Sequence, residues 1–167
     1  MVAVERDVHV DESHPIDIAE HLAERQQWDV DRVTDDQIAF AVEGAWRTYS
    51  LSLAWHGFDE TLRLICTFEM EPPEERLDEL YRLIEAANDR AWLGGFNLWR
   101  DEGLMVYRYA LTLRGEAMAT AGQIDAMMRA AVEMSECFFP AFQLVAWGDQ
   151  TAEEAMTAVM CEAVGRA

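Results

Sequence analysis

Hydrophobic residues recur with two different periods along the chain, and the order of these periods predicts the secondary structure. Between residues 36 and 70 the period is two, which is typical of strands that bury one face. Three predicted strands carry the apolar positions, namely Ile38, Phe40 and Val42, then Tyr49, Leu51, Leu53 and Trp55, then Leu62, Leu64, Cys66, Phe68 and Met70. Turns at Gly44-Ala45 and at residues 56–59 should join them into an antiparallel meander.

Helical spacing lies on both sides of this meander. Ser13-His14-Pro15 offers a helix start, and residues 16–27 place their apolar side chains on one stripe. After the meander, Pro72-Pro73 followed by two glutamates is typical of a helix N-terminus, and the helix should extend to Ala91 before Gly94-Gly95 ends it.

The last third of the chain predicts two strands and two helices. The strands cover residues 96–100 and 104–113, joined by a tight turn. A long amphipathic helix follows from about residue 124 and should bend or break near Pro140. A terminal helix over residues 151–164 has Thr151 as its predicted N-cap.

The resulting order, α-βββ-α-ββ-α-α, predicts an α+β fold with one domain over residues 1–167. We expect a single five-stranded, mainly antiparallel sheet packed against three to four helices, with a core over about residues 16–147 and a C-terminal helix over about 151–165. The first residues also alternate, at Val2, Val4, Val8 and Val10, which indicates a short extended segment.

The charge of the chain restricts its partners. Its 167 residues include 32 acidic and 13 basic side chains, which gives a formal net charge of −19, and every basic residue is an arginine. Such a field repels phosphate backbones and anionic membranes, so we expect no nucleic-acid or membrane partner and favour a basic protein partner. Alternatively, the acidity only keeps an apolar-rich protein in solution. The N-terminal residues lack the pattern of a secretion signal, which predicts a cytoplasmic location.

Catalytic and metal-binding motifs are absent from the sequence. It contains no H-E-x-x-H, no G-x-S-x-G and no glycine-rich phosphate loop. Cys66, Cys137 and Cys161 are widely spaced, and we interpret them as reduced, mostly buried thiols. We therefore predict a protein that is not an enzyme and that uses no cofactor and no metal.

Large aromatic residues supply the candidate contact surface. Trp46 falls in register with the polar face of its strand, and Trp99, Tyr107 and Tyr109 lie in the second hairpin, where either face could point outward. These four residues are our predicted partner-binding residues. The alternative is that they lie under the helices.

Several stretches resemble one family of bacterial proteins. Asn88-Asp89-Arg90, Gly94-Gly95-Phe96 and the stretch Val106 to Leu111 look like the signature region of the YbjN-like proteins, and the resemblance spans roughly residues 16–147. It implies a fold similar to the type III secretion chaperones, which are small acidic α+β proteins, often dimeric, that bind an extended stretch of another protein. It also implies a role as a sensory or stress-response regulator, and it supplies no catalytic residues.

We therefore predict a non-enzymatic protein-binding module, chaperone-like or regulatory, that forms a homodimer. Exposed apolar and edge-strand surface would hold the partner segment, and the helix over residues 72–91 is the candidate dimer element. The alternative is a regulator that senses a small molecule in a pocket between the sheet and the helices. An enzyme that uses unrecognised carboxylates is a third hypothesis.

Overall fold

The computed structural model describes the backbone of residues 14–165 and the side chains of residues 14–160. The predicted extended segment at Val2 to Val10 and the side chain of Cys161 lie outside this range. The helices are α1 Pro15–Arg25, α2 Leu77–Asn88 after a 3₁₀ turn at Glu74–Arg76, α3 Ala121–Trp147 and α4 Ala152–Gly165. The strands are β1 Asp29–Thr34, β2 Gln37–Glu43, β3 Thr48–His56, β4 Thr61–Glu69, β5 Gly95–Trp99 and β6 Leu104–Thr112.

The described strands form one antiparallel sheet of six strands in the order β1-β2-β3-β4-β6-β5. The α+β class is confirmed, but the predicted number of five strands is wrong, because β1 was missed. β1 lies at the edge of the sheet and no residue in it is fully buried. Its sequence, DVDRVT, therefore lacks the apolar alternation that marks the inner strands.

All four helices lie on one side of the sheet. α1 packs on β1 to β3, α3 packs on β4 and β6, and α2 reaches β5. The layer between sheet and helices is one continuous apolar cluster. At its centre, the ring centroids of Phe96 and Phe142 lie 5.1 Å apart and those of Phe68 and Phe139 lie 5.4 Å apart. Both ring pairs pack edge to face.

α3 runs without interruption through Pro140, so a break there is wrong, and the alternative, a bend, stays a prediction. Proline removes one backbone donor from the helix ladder and normally kinks or ends the helix. Here Phe138, Phe139 and Phe142 are all buried on the two sides of the proline. Their packing against the sheet holds the helix together where its own hydrogen bonds are incomplete.

α4 packs on the same chain, against α2 and α3. The hydroxyl of Thr151 accepts a hydrogen bond from the amide of Glu154 at 3.2 Å, which confirms Thr151 as the N-cap, and the Glu154 carboxylate accepts one from the amide of Thr151 at 2.9 Å. Glu79 on α2 accepts a hydrogen bond from the amide of Ala152 at 2.9 Å. Part of α2 is therefore covered by α4. Within residues 14–165 no helix is both long enough and apolar enough to cross a membrane.

Candidate functional site

No element of the described residues 14–165 covers the side of the sheet that faces away from the helices, and small side chains line most of its middle. We call this side the open face. Successive side chains of a strand point to opposite sides, so the residues between the buried positions of β2 to β4 project here. Those in the middle of the face are Ala39, Ala41, Ser50, Ser52, Ile65 and Thr67, all of them at least partly accessible.

One end of the open face is acidic. Asp29 and Asp31 of β1 pair with Ala41 and Ala39 of β2, and both aspartates are exposed. With the small residues of β2 to β4 they line a shallow hollow of about 320 Å³. We call it the acidic depression.

The other end of the open face is basic. Arg63 of β4 and Arg108 of β6 line a second hollow of about 730 Å³, together with Gly95 and Asn97 of β5. We call it the basic depression. Arg63 forms an ion pair with Asp59, whereas Arg108 has no ion-pair partner among the described side chains.

The β5 edge of the sheet is capped by a side chain. The amide of Phe96 donates a hydrogen bond to Oδ1 of Asn88 at 2.6 Å, and Nδ2 of Asn88 donates one to the carbonyl of Phe96 at 3.0 Å. In an antiparallel ladder, the N–H and C=O groups of one residue point to the same side of the strand. Both groups of Phe96 bond to Asn88, so both point away from β6. Asn88, the last residue of α2, thus occupies the place that an added strand would need.

Two glycines allow the start of β5 to pack closely, one against β6 and one against this cap. A Cβ at Gly94 would lie 2.5 Å from the carbonyl oxygen of Arg108 and 2.8 Å from the ring of Tyr107. A Cβ at Gly95 would lie 3.2 Å from Oδ1 of Asn88. The stretches that carry the family resemblance therefore build one structural feature, the closed edge at β5.

The β1 edge has no equivalent cap within residues 14–160, because no side chain there bonds to the backbone of residues 29–33. β1 is nevertheless held firmly. Arg32 forms ion pairs with Asp17 at 3.0 Å and Glu20 at 2.8 Å on α1, and it donates hydrogen bonds to the carbonyls of Thr34 and Asp35. Among the residues that the structure describes, α1 thus fixes this edge, and the backbone of residues 29–33 has no side-chain partner.

The predicted contact residues occupy different environments. Trp46 lies in the β2–β3 turn with 48% of its surface exposed, and Trp99 is half-buried on the open face. Tyr109 is partly buried and packs against the core. Tyr107 is 1% exposed and stacks edge to face on Phe96, so a partner could not reach it.

The turn that carries Trp46 is anchored to α3. The carboxylate of Glu136 accepts hydrogen bonds from the amide of Ala45 at 2.9 Å and from that of Trp46 at 3.5 Å. A Cβ at Gly44 would overlap this carboxylate, so the turn requires glycine at that position. Trp46 is consequently presented at a fixed place, at the end of the sheet where β1 begins.

Two of the cysteines differ in accessibility. Cys66 is fully buried, with Sγ 3.5 Å from the hydroxyl of Ser135, and burial raises the pKa of its thiol to about 12. Cys137 is exposed on α3, so the expectation of mostly buried thiols is wrong for it. Among the described side chains, no group of three His, Cys, Asp or Glu residues is placed to hold a metal ion.

The space between sheet and helices is filled by the core. A further groove, of about 740 Å³, lies between α2 and α4 and is lined mainly by apolar groups, including Ala86, Met156 and Met160. The alternative hypothesis places a ligand pocket between sheet and helices, and none of the three hollows described above lies there.

Comparisons with known proteins indicate one family. The family model YbjN, described as "Putative bacterial sensory transduction regulator", matches residues 15–144. Among solved structures, the chain is similar to the crystal structure of YbjN from E. coli, described there as "a putative transcription regulator", with a TM-score of 0.51 and 11% sequence identity over 72% of this chain and 85% of that one. At that identity the likeness concerns the fold alone. No curated protein matches this sequence.

Proposed function

The chain belongs to the YbjN family, and on that premise we propose that it is a non-enzymatic regulator that binds an extended, basic segment of another protein by strand addition to β1.

The observation that carries this proposal is the difference between the two edges of the sheet. Unpaired backbone groups on an edge strand are a template for another chain. Asn88 occupies those groups at Phe96 on β5, whereas among residues 14–160 no side chain bonds to the outward N–H and C=O groups of residues 29–33 in β1. Of the two edges of the described sheet, β1 is therefore the one that favours an added strand.

Charge determines which strand fits at β1. Alternate side chains of an added strand would lie beside Asp29 and Asp31, and each opposite-charge pair across two strands contributes about 0.2–1 kcal/mol. The aliphatic stems of arginine or lysine would rest on Ala39 and Ala41 in the acidic depression. The same aspartates disfavour direct pairing of two β1 edges, because like charges would then meet.

Side chains on the other face of the added strand would lie beside Val30, which is partly buried against the core. The best segment therefore alternates basic with small apolar residues. Of the aromatic residues that the sequence predicts as contacts, exposed Trp46 lies at the end of the sheet where β1 begins and is therefore placed to meet the added strand. The net charge of −19 should speed the encounter with such a segment at low salt.

The test is a binding titration with a fluorescent peptide of nine residues in which arginine alternates with valine. We expect binding that weakens about 2- to 30-fold in the double variant Asp29→Asn/Asp31→Asn, because two cross-strand pairs are lost. The matched control is Asp101→Asn/Glu102→Gln, which removes the same charge from the exposed β5–β6 turn and should bind normally.

Backbone methylation of the peptide separates strand addition from simple charge attraction. Methyl groups on one set of alternate amides should abolish binding, and methyl groups on the other set should be tolerated, because only one set faces β1. Equal affinity of both methylated peptides, or an unchanged affinity in the Asp29/Asp31 double variant, would contradict the proposal.

A further inference from the structure

We propose that a second copy of this chain docks on the open face, so that the acidic depression of each protomer meets the basic depression of its partner. Two hollows of opposite charge lie side by side on one surface that no described element covers, which makes that surface complementary to itself. This proposal concerns self-association and does not depend on the capture of a basic segment.

The register of the sheet places the two charges at matching positions. Asp31 pairs with Ala39, and Ala39 pairs with Ser52. Ser52 pairs with Ile65, and Ile65 pairs with Arg108. Asp31 and Arg108 therefore lie in one row across the sheet, each two strands away from Ser52.

This row is symmetric about its centre. A two-fold axis that lies parallel to the strands and passes over Ser52 reverses the row and turns the second sheet to face the first. Asp31 of one protomer then lies opposite Arg108 of its partner, and the same pair occurs twice, as an isologous interface requires. A long arginine opposite a short aspartate suits the spacing of about 10 Å between packed sheets.

The dimensions of the open face determine how strongly two copies should associate. With the axis over Ser52, five strands of each sheet overlap, because β5 then lies beyond β1 of the partner. Five strands spaced about 4.8 Å apart give a width of about 19 Å, and six residues give a length of about 20 Å. Two such faces bury on the order of 800 Å² in total, which is the size of a weak, transient contact. The dimer should therefore form and dissociate with concentration.

Self-association and strand addition would compete in this arrangement, since both use Asp31. A bound basic segment should release the dimer, and a high chain concentration should weaken peptide binding. Each can still be measured alone, because peptide titrations can be run at chain concentrations where the dimer has dissociated.

The test uses charge reversal and sedimentation equilibrium over a range of chain concentrations. Asp31→Arg and Arg108→Asp should each weaken the dimer about tenfold or more, because each replaces two attractive contacts by two like-charge contacts. An equimolar mixture of the two variants should associate again, since each introduced charge then meets its opposite.

Two controls separate this interface from general charge effects. Asp101→Arg makes the same change in net charge as Asp31→Arg and lies in the distant β5–β6 turn, so it should leave the dimer intact. Arg90→Asp changes the groove between α2 and α4 and should also leave it intact. A wild-type chain that stays monomeric, a mixture that does not associate, or loss of the dimer in Arg90→Asp would each overturn the proposal.

Discussion

The cap on β5 gives the sharpest prediction about stability. Replacement of Asn88 by alanine removes both hydrogen bonds to Phe96, at 2.6 Å and 3.0 Å, and leaves a partly buried amide and carbonyl without partners. A hydrogen bond contributes about 0.5–1.5 kcal/mol net, and an unsatisfied buried group costs about 1–3 kcal/mol. Water reaches the strand edge once the side chain is gone, so we expect a loss of about 2 kcal/mol in the free energy of unfolding.

Urea denaturation at neutral pH measures this loss directly, and a thermal melt should shift by about 4–8 °C. Native-state hydrogen exchange should show in addition that the Phe96 amide loses protection before the rest of β5. The matched control is Asn97→Ala on the same strand, because Asn97 is exposed and makes no side-chain hydrogen bond among the described residues. Equal stability of the two variants, with Phe96 still protected in Asn88→Ala, would refute the cap.

Three further predictions follow from local contacts. Gly94→Ala should lower the free energy of unfolding measured in urea by roughly 1–3 kcal/mol, because the new Cβ would meet the backbone of β6. Gly122→Ala in α3 should instead raise it by up to about 1 kcal/mol, because the nearest atom to its Cβ is 3.8 Å away. The opposite order of the two variants would contradict the packing. The amide of Ala152, and secondarily a nearby arginine, lowers the pKa of Glu79 below its usual 4.5, so this carboxylate stabilises the fold above its unfolded pKa and loses that contribution as pH falls through the lowered value. The stability difference between wild type and Glu79→Gln in urea should therefore shrink from about pH 5 downward, and a constant difference would contradict the contact. Cys66, fully buried with its thiol pKa raised to about 12, should resist maleimide at about pH 8 until urea unfolds the chain, whereas exposed Cys137 should react in the native state. Rapid native labelling of Cys66 itself, located by mass spectrometry of its peptide, would contradict its burial.

The inner strands and the helices could be predicted from hydrophobic period, because each buries one continuous face. β1 could not, since an edge strand with Asp29 and Asp31 on one side and Arg32 on the other carries little apolar signal. The sequence also left open on which side of the sheet the side chain of Tyr107 lies. Met105, Val106 and Tyr107 are all buried, so the period of two disappears within β6.

The candidate site depends on neighbours that are distant in sequence. The row that joins Asp31 to Arg108 exists only because β6 pairs with β4 and β5 forms the edge of the sheet. The hydrophobic period of each strand does not indicate this order of strands. The cap is similar, since Asn88 ends a helix and its partner Phe96 lies in the following strand. The resemblance singled out both stretches without indicating what they form.

The measurement that tests the central claim most directly is amide hydrogen exchange of the chain with and without the basic peptide of nine residues. We expect the alternate amides of residues 29–34 that point away from β2 to gain protection when the peptide binds, while residues 95–99 of β5 stay unchanged. Binding that leaves β1 unprotected, or that protects β5 instead, would contradict strand addition at the free edge.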